Sequence, residues 1–492
     1  MLDDKKALYA ALLARDARFD GRFFVGVSST GVYCRPICRV KAPKFENCAF
    51  FATAAEAEQA GYRPCLRCRP ELAPGSSPMD ASSSLARAAA LSIEENCGDG
   101  ESLEAVAARF GCTARHLRRV FEGEYRVSPV RWRLTCRLLL AKNLLAETAL
   151  PVVDIAAASG FGSLRRFNDA FKKYYKMSPS EMRRSAAMKR SNDGAVTVSL
   201  GYRPPYLWDE ILRFFAARAI PGVETVRGGA YMRAVRFAGG GADAADVCGW
   251  FAVSHNPAKN ALDVTLCETL LPVLPRLLSR VRAMFDLYCE PSEIYAELSP
   301  MNEIKPGLCR LGTRVPGCFD VFEMAARAVL GQQITVRAAS TLAGRIAAAF
   351  GAPVETGVEG LTRTFPPPEA ILSLEGGAER RLGELGVISA RAAAMRTIAE
   401  KLVKREINLG LCPSPKEEIK KLLEIRGVGS WTACYIAMRA MSWTDAFLET
   451  DAGIKKALAG YTPKELLKMS EEWKPWRSYA TVNIWNSLYK ED

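Results

Sequence analysis

Four cysteines constrain this chain more than any other feature. "GVYCRPICRV" (residues 31–40) and "RPCLRC" (63–68) space them C-x3-C and C-x2-C, with 26 residues between the pairs. Two such pairs of thiolates are the signature of tetrahedral zinc, so Cys34, Cys38, Cys65 and Cys68 are expected to hold one zinc ion. The chain has 15 cysteines, an odd number, and the other eleven are scattered singly. That pattern favours metal ligation in a reducing compartment over a disulfide framework. The opening MLDDKKALYAALLARDARFDG is too charged for a secretory signal, and no apolar run approaches the ~18 residues of a membrane span, so a cytoplasmic protein without a membrane partner is expected. Arg35, Arg39, Arg63, Arg67 and Arg69 are interleaved with the cysteines. They raise the question of whether the thiolates only tie a small fold together or whether one of them reacts.

At 492 residues the chain exceeds what one hydrophobic core supports. Its charge is uneven: residues 1–190 carry 31 Lys and Arg against 20 Asp and Glu, so most of the net +13 lies there. A basic amino-terminal part suggests a polyanion partner. "APGSSPMDASSS" (73–84) and "SAAMKRSNDGA" (185–195) read as linkers, and a third boundary falls near 299–310. The expected architecture is multidomain and mostly α. It comprises a four-cysteine α+β zinc module (1–76), an all-α DNA-binding part (80–187), a small α+β domain (195–300) and an all-α carboxy-terminal domain (301–492).

The second piece repeats itself. "LEAVAARFGCTARHLRRVFEGEYRVSP" (103–129) and "VVDIAAASGFGSLRRFNDAFKKYYKMSP" (152–179) each give a short apolar helix, a turn at Gly111 or Gly160, and a basic helix closed by Phe121 or Phe171. Helix, tight turn and basic helix is the helix-turn-helix pattern, although any αα-hairpin with a solvated basic face looks alike. Two copies with matching punctuation resemble the paired motifs of AraC-type transcription regulators. That resemblance implies promoter DNA and RNA polymerase as partners. It also places Arg115, His116, Arg118 and Arg119 in the first copy, and Leu164, Arg165, Arg166 and Asn168 in the second, against DNA. The third piece alternates β-like runs with helical stretches at 206–219 and 272–285, and its His255 reads as a surface or satisfied residue rather than a catalytic one.

In the fourth piece, "PSPKEEIKKLLEIRGVGSWTACYIAMRAM" (413–441) offers Ser414 as a helix cap, Pro415 at the first position and Glu417 as a capping-box acid. The helix stops at Gly427-Val428-Gly429 and a second begins at once, so Gly427, Gly429 and Thr432 can contact a backbone phosphate, although a merely tight helical hairpin looks alike. Asp451 opens another helix 22 residues after Gly429, where an isolated Asp is normally just a cap. Hairpin, spacing and acid together resemble the helix-hairpin-helix superfamily of DNA glycosylases. The stretches 322–346, 426–439 and 471–485 are similar to AlkA-type 3-methyladenine DNA glycosylases. This resemblance implies a catalytic carboxylate at Asp451, a base pocket of Trp431, Tyr435 and Trp485, and Gln332 and Gln333 at the gap left by a flipped base. Trp431 stands where lyase-competent members carry lysine, so a monofunctional hydrolase of alkylated bases such as 3-methyladenine and 7-methylguanine is expected. The cysteine-rich tail that binds an iron–sulfur cluster in some members is missing, and no such cluster is expected.

Residues 19–68 resemble the amino-terminal module of Ada-type adaptive-response proteins, which move a methyl group from a DNA methylphosphotriester onto a zinc-bound cysteine. The resemblance, not the spacing, singles out Cys34 as acceptor. Cys48, outside the quartet, reads as a small buried apolar residue. The expected protein is therefore a methyl-sensing regulator fused to a glycosylase. Its partners would be double-stranded DNA carrying alkylated bases and methylphosphotriesters. The alternative is a regulator with a structural zinc site and a glycosylase-derived DNA-binding module.

Overall fold

The zinc-module sheet follows from two antiparallel pairings and one parallel one. β1 (Phe24–Val27) lies between β2 (Val32–Cys34) and β3 (Cys48–Phe51), and β4 (Arg63–Pro64) runs parallel to β2. Phe23 and Val25 are buried in one cluster with Leu8 and Leu12 of helix α1 (Lys5–Ala14), and Phe24 and Tyr33 in another with Ala54 and Ala57. Helix α2 (Ala54–Gln59) is capped by Thr53 and buries Ala54, Ala55 and Ala57. The computed structural model describes residues 4–74, 84–185, 195–239 and 245–489, so residues 75–83 and 186–194 of the two expected linkers lie outside the described residues.

The described chain forms two compact units. One comprises Met1–Pro204, His255–Arg282 and Leu287–Cys289; the other comprises Pro205–Ser254, Ala283–Asp286 and Glu290–Asp492. Among the described residues no helix is long and apolar enough to cross a membrane.

In the first unit both expected helical repeats form. α3 (Ser84–Glu95) precedes α4 (Leu103–Arg109) and α5 (Ala114–Tyr125). The long α6 (Pro129–Glu147) leads to α7 (Val152–Ala158) and α8 (Leu164–Tyr175). Gly111 and Gly160 take positive φ, +65° and +78°, at the turns, as glycine permits at no steric cost. The second helices run one turn beyond the expected Phe121 and Phe171, to Tyr125 and Tyr175. Leu117, Phe121 and Tyr125 in one copy, and Phe167, Phe171 and Tyr175 in the other, form buried stripes at i, i+4 and i+8. Each second helix ends in a left-handed residue, Arg126 or Lys176, and the "SP" that follows starts the next helix: Ser128 accepts from the Arg131 amide with Pro129 at the first position.

α6 also receives the zinc module. Lys142 pairs with the buried Glu71, and Arg69 donates to Glu147 at 2.7 Å and to Asn143 at 2.9 Å. Strand Ala195–Gly201 pairs antiparallel with Ala261–Cys267 in the same unit, and His255 is satisfied there by the Tyr202 hydroxyl at 2.6 Å.

In the second unit, strand Ala230–Phe237 pairs antiparallel with Glu224–Arg227 on one side and with residues 247–253 on the other, beside helix Trp208–Arg218. The short strand Glu224–Arg227 is absent from the sequence reading because four residues carry little alternation. The helices that follow include Val321–Leu330, Val336–Phe350, Pro415–Leu423, Ser430–Arg439, Ala452–Ala457 and Arg477–Asn486. The expected capping box at Ser414 does not form. Ser414 makes no side-chain cap bond, and Glu417 instead accepts from Lys420 at 2.8 Å, while Pro415 occupies the first helical position as expected.

Candidate functional site

The β2–β4 register brings the two cysteine pairs together. Tyr33 stands opposite Pro64, and the Cys65 amide donates to the Tyr33 carbonyl at 2.9 Å, so Cys34 and Cys65 fall side by side. A turn closed by the Cys38 amide on the Arg35 carbonyl returns Cys38 to the same place. The four sulfurs all lie within 4.8 Å of one another. Thiolates ~2.3 Å from a tetrahedral zinc stand roughly 3.8 Å apart, so the donor set fits the ion, and one zinc bound by Cys34, Cys38, Cys65 and Cys68 is the cofactor of this module.

The ligands differ in what else touches them. The Arg35 amide donates to Cys68 Sγ at 3.3 Å, and the Val40 and Cys68 amides act on Cys38 and Cys65. An N–H donor draws charge off a thiolate and blunts it as a nucleophile, so the Arg35 amide counts against Cys68 as the reacting ligand. Exposure ranks them otherwise: Cys34 is 6 % exposed, whereas Cys68 is half-buried.

The arginines around the cluster do not form one basic coat. Arg35 is buried, its guanidinium clamped by Asp20 with Nε to Oδ1 at 2.8 Å and by the Cys68 carbonyl at 3.1 Å. Arg69 is held by Glu71 and Glu147. These two are structural; Arg39 and Arg67 are exposed and Arg63 is half-buried. Cys48 is half-buried rather than buried, and its thiol donates to the Lys44 carbonyl.

Both second helices of the repeats present their basic residues to solvent. Arg115, His116, Arg118 and Arg119 on α5 are exposed, as are Leu164, Arg165, Arg166 and Asn168 on α8, while the apolar stripes face inward. Thr113 and Ser163 cap these helices through the amides of His116 and Arg166.

In the second unit an open cleft of about 1240 Å³ is lined by Asp451, Trp431, Tyr435, Trp485, Gln332 and Gln333 among others. Asp451 caps helix Ala452–Ala457: its Oδ1 accepts from the Gly453 and Ile454 amides at 2.8 and 3.1 Å. Oδ1 also accepts from Trp485 Nε1 at 2.8 Å, and Oδ2 accepts from Trp431 Nε1 at 3.0 Å. Capping and positioning thus coincide, and four donors fix a half-buried carboxylate at the cleft. Trp431 and Tyr435 stack with centroids 5.1 Å apart and planes within 10°, and Trp485 meets Tyr435 edge-on at 6.2 Å. At the far end of the tyrosine, the buried Arg439 donates to its hydroxyl at 2.8 Å. Burial pushes that hydroxyl up, but Arg439, Arg218 and Arg327 outweigh it and hold Tyr435 below the usual tyrosine range.

The two glutamines divide. Gln333 is exposed at the turn between two helices with a left-handed backbone, φ +55°. Gln332 turns inward, its amide donating to the Gly427 carbonyl at 2.8 Å and the Thr432 hydroxyl at 2.9 Å. The Thr432 side chain thus turns inward: the residue is 2 % exposed and its hydroxyl accepts from Gln332, while its backbone amide stands in the first turn of helix Ser430–Arg439. Gly427, Gly429 and Ser430 are exposed and form the reachable rim of the hairpin.

The chain is 35% identical, over 99% of its length and 97% of the relative's, to the "probable bifunctional transcriptional activator/DNA repair enzyme AlkA" of Mycobacterium tuberculosis. The chain belongs to that family. It is also 33% identical to DNA-3-methyladenine glycosylase 2 of Escherichia coli, covering 58% of this chain and 96% of that one. With the bifunctional transcriptional activator/DNA repair enzyme AdaA of Bacillus subtilis it shares 30% identity over 39% of this chain and 89% of the relative. Family profiles described as the metal binding domain of Ada, a helix-turn-helix domain and the AlkA N-terminal domain match residues 7–71, 106–185 and 197–320.

Several residues of these sites escape sequence reasoning. Asp20 and Glu58 reach the zinc module's interior from distant positions, and nothing local marks them. Gly453 had a signal: glycine in the first turn of a helix carries a propensity penalty of roughly 1 kcal/mol that some other demand must override. A Cβ there would stand 2.9 Å from Trp485 Cδ1 and 3.0 Å from Asp451 Oδ1.

Proposed function

We propose that this chain repairs alkylated DNA by two routes and converts one of them into a transcriptional signal. Its modules are a zinc methyl acceptor (1–76), a tandem helix-turn-helix part (80–187), an α+β domain (195–300) and a helix-hairpin-helix glycosylase domain (301–492). The observation that carries the glycosylase reading is the Asp451 carboxylate, held by Trp431 and Trp485 at the mouth of an aromatic cleft. An alkylated purine carries positive charge, so its glycosidic bond is already weakened. Flipped into the cleft, it stacks on Trp431 and Tyr435, each contact contributing ~0.5–2 kcal/mol. Asp451 then stabilises the oxocarbenium-like sugar and orients the attacking water. Trp431 supplies no amine, so the reaction ends at an abasic site. Gln333 fills the gap left in the duplex.

In the zinc module, a bound zinc keeps the four thiolates deprotonated at neutral pH. The Cys34 thiolate attacks the methyl carbon of a methylphosphotriester. The new S–C bond forms as the C–O bond breaks, and the electron pair stays on the phosphate oxygen. The site becomes one unit less negative, so its repulsion of DNA falls. The exposed Arg39 and Arg67, rather than all five arginines, meet the flanking phosphates. The helix-turn-helix faces on α5 and α8 then hold promoter DNA and bring RNA polymerase to it in the cytoplasm, at the nucleoid.

Incubating the protein with methylated DNA, then assaying released bases and cysteine methylation separately, tests both routes. Release of 3-methyladenine or 7-methylguanine without strand cleavage is expected, together with one methylated cysteine. Binding without either product would leave a regulator only.

A further inference from the structure

The glycosylase cleft is electrically polar along the tyrosine ring. At one end Trp431, stacked on Tyr435, donates to Asp451. At the other, Arg439 donates to the Tyr435 hydroxyl, and Arg218 and Arg327, which line the same cleft, also act on it by charge; the three guanidinium groups are not equivalent. Arg327 is satisfied by Glu224 at 3.0 Å and Glu323 at 3.2 Å. Arg439 is buried and engaged by the Tyr435 hydroxyl and the Gly317 carbonyl, both at 2.8 Å, and by the Pro316 carbonyl. Arg218, half-buried at the end of helix Trp208–Arg218, makes no ion pair among the described residues. Its one side-chain hydrogen bond there is a long contact of 3.5 Å to the Phe214 carbonyl. It nevertheless lines the cleft. Its guanidinium lies 3.7 Å over the Phe214 ring, which stacks in turn on Trp485 at 6.1 Å.

An unpaired guanidinium is a poor fit to a cleft whose cargo is merely cationic, because like charges repel. It suits a cargo that presents an oxygen. If the sugar sits at Asp451, as proposed above, the base edge remote from the glycosidic nitrogen points to the arginine end. In purines that edge carries position 6: an oxo group in guanine-type bases and hypoxanthine, an amino group in adenine-type bases. An oxo group accepts from a guanidinium, whereas an amino group offers it only further donors.

We propose that Arg218 is a specificity-determining residue of the glycosylase site, donating to the 6-oxo group of a flipped purine. It favours 7-methylguanine and hypoxanthine over 3-methyladenine. For the neutral base hypoxanthine the same donor stabilises the negative charge that develops as the base departs. The inference rests on the Asp451 reading of the site and deepens it.

The test compares full-length wild type, Arg218→Met and Arg218→Lys on duplexes carrying each of the three bases. Methionine keeps the apolar stem over Phe214 and removes the donors. In Arg218→Met, kcat/KM for 7-methylguanine and hypoxanthine should fall about tenfold or more relative to 3-methyladenine, the range of a hydrogen bond to a charged group. Arg218→Lys should fall between wild type and Arg218→Met. An equal loss on all three bases would make Arg218 structural, and no change in the ratios would remove it from recognition; either result overturns the proposal. Asp451→Asn, assayed in parallel, separates the two readings. Base release at the wild-type rate by that variant would overturn the placement of the sugar and this inference with it, whereas loss of release with unchanged Arg218 ratios would overturn this inference alone.

Discussion

Trp485 donates its indole N–H to Asp451 Oδ1 at 2.8 Å, and it can do so only because residue 453, beside them, has no side chain. Together with Trp431 on Oδ2, this holds the carboxylate from both sides in a half-buried setting. An acid placed this way needs no reorganisation as positive charge develops on the sugar.

Asp451→Asn should therefore lower base release by about 10²-fold or more while lesion binding persists. Asparagine remains a good cap, but its amide nitrogen must face an indole donor that the carboxylate had accepted. One hydrogen bond is lost, and stability should fall by about 1 kcal/mol. Single-turnover release of 3-methyladenine alongside a melting curve checks both statements, and a variant that releases base at the wild-type rate would refute the catalytic role.

Gly453→Ala is expected to act without touching the substrate. Its Cβ, 2.9 Å from Trp485 Cδ1, must move the indole away from Asp451. Misplacing a catalytic group by about 1 Å can lower a rate by ~10²-fold. Base release should fall about that much, while alanine's better helix propensity leaves Tm nearly unchanged or higher. A rate within twofold of wild type would show that the Trp485 contact does not position the acid.

Much of this was legible in the sequence, and the failures share a cause. Zinc ligands, helical repeats and the hairpin are encoded over short spans, where spacing and turn residues suffice. What sequence could not give is which polar side chains face each other across the fold. Arg35 and Arg39 look alike in "CRPICR", yet Arg35 is buried on Asp20, fifteen positions away, and Arg39 is exposed. The Thr432 side chain, just after the hairpin, turns inward and accepts from Gln332, a hundred residues earlier. Ser414 and Glu417 had the right spacing for a capping box, and Lys420 took the acid instead. Local pattern proposes partners, and tertiary packing reassigns them.

The hairpin glycines make a separable prediction. Gly427 has φ +90°, where a side chain is strained, whereas Gly429 has an ordinary φ of −93° and open space around its absent Cβ. Backbone geometry does not require glycine at 429, so its use points to a close visitor at the helix amides. Gly429→Ala should keep its Tm and lose several-fold in affinity for undamaged duplex, with Gly427→Ala losing stability as well. Unchanged DNA affinity in Gly429→Ala would remove the hairpin from the interface.

Glu58 provides a pH prediction. Its carboxylate is fully buried, accepting from Tyr33 at 3.1 Å, Thr135 at 2.9 Å and Arg131 at 3.3 Å. Burial nevertheless wins and pushes it up to about 7 from 4.5, with Arg131 opposing. The folded state therefore prefers the protonated acid. That contribution is fully present below pH 4.5 and is lost as pH rises through about 7, a change on the order of 3 kcal/mol. Glu58→Gln, which cannot titrate, should lack this slope. Melting both proteins between pH 5 and 8 isolates the difference, because zinc release at low pH is common to the two. Parallel curves would mean that Glu58 stays charged.

The opening question, whether a cysteine reacts, reduces to a contest between two ligands. Cys34 is only 6 % exposed; Cys68 is more exposed but accepts the Arg35 amide at 3.3 Å. Reactivity of a zinc thiolate depends on the charge left on sulfur, and an N–H donor lowers it in every encounter with substrate. Cys34 should therefore carry the methyl group after treatment with methylphosphotriester duplex, as read by peptide mass spectrometry. Cys34→Ser should keep three thiolates and an oxygen on the metal, so zinc content stays near one per chain while methyl uptake disappears. DNA affinity of wild type should rise on methylation and show a stronger salt dependence, and that of Cys34→Ser should not change. Methyl found on Cys68 would mean that access outranks charge at this cluster, and zinc retained with no methyl on any ligand would make the site structural.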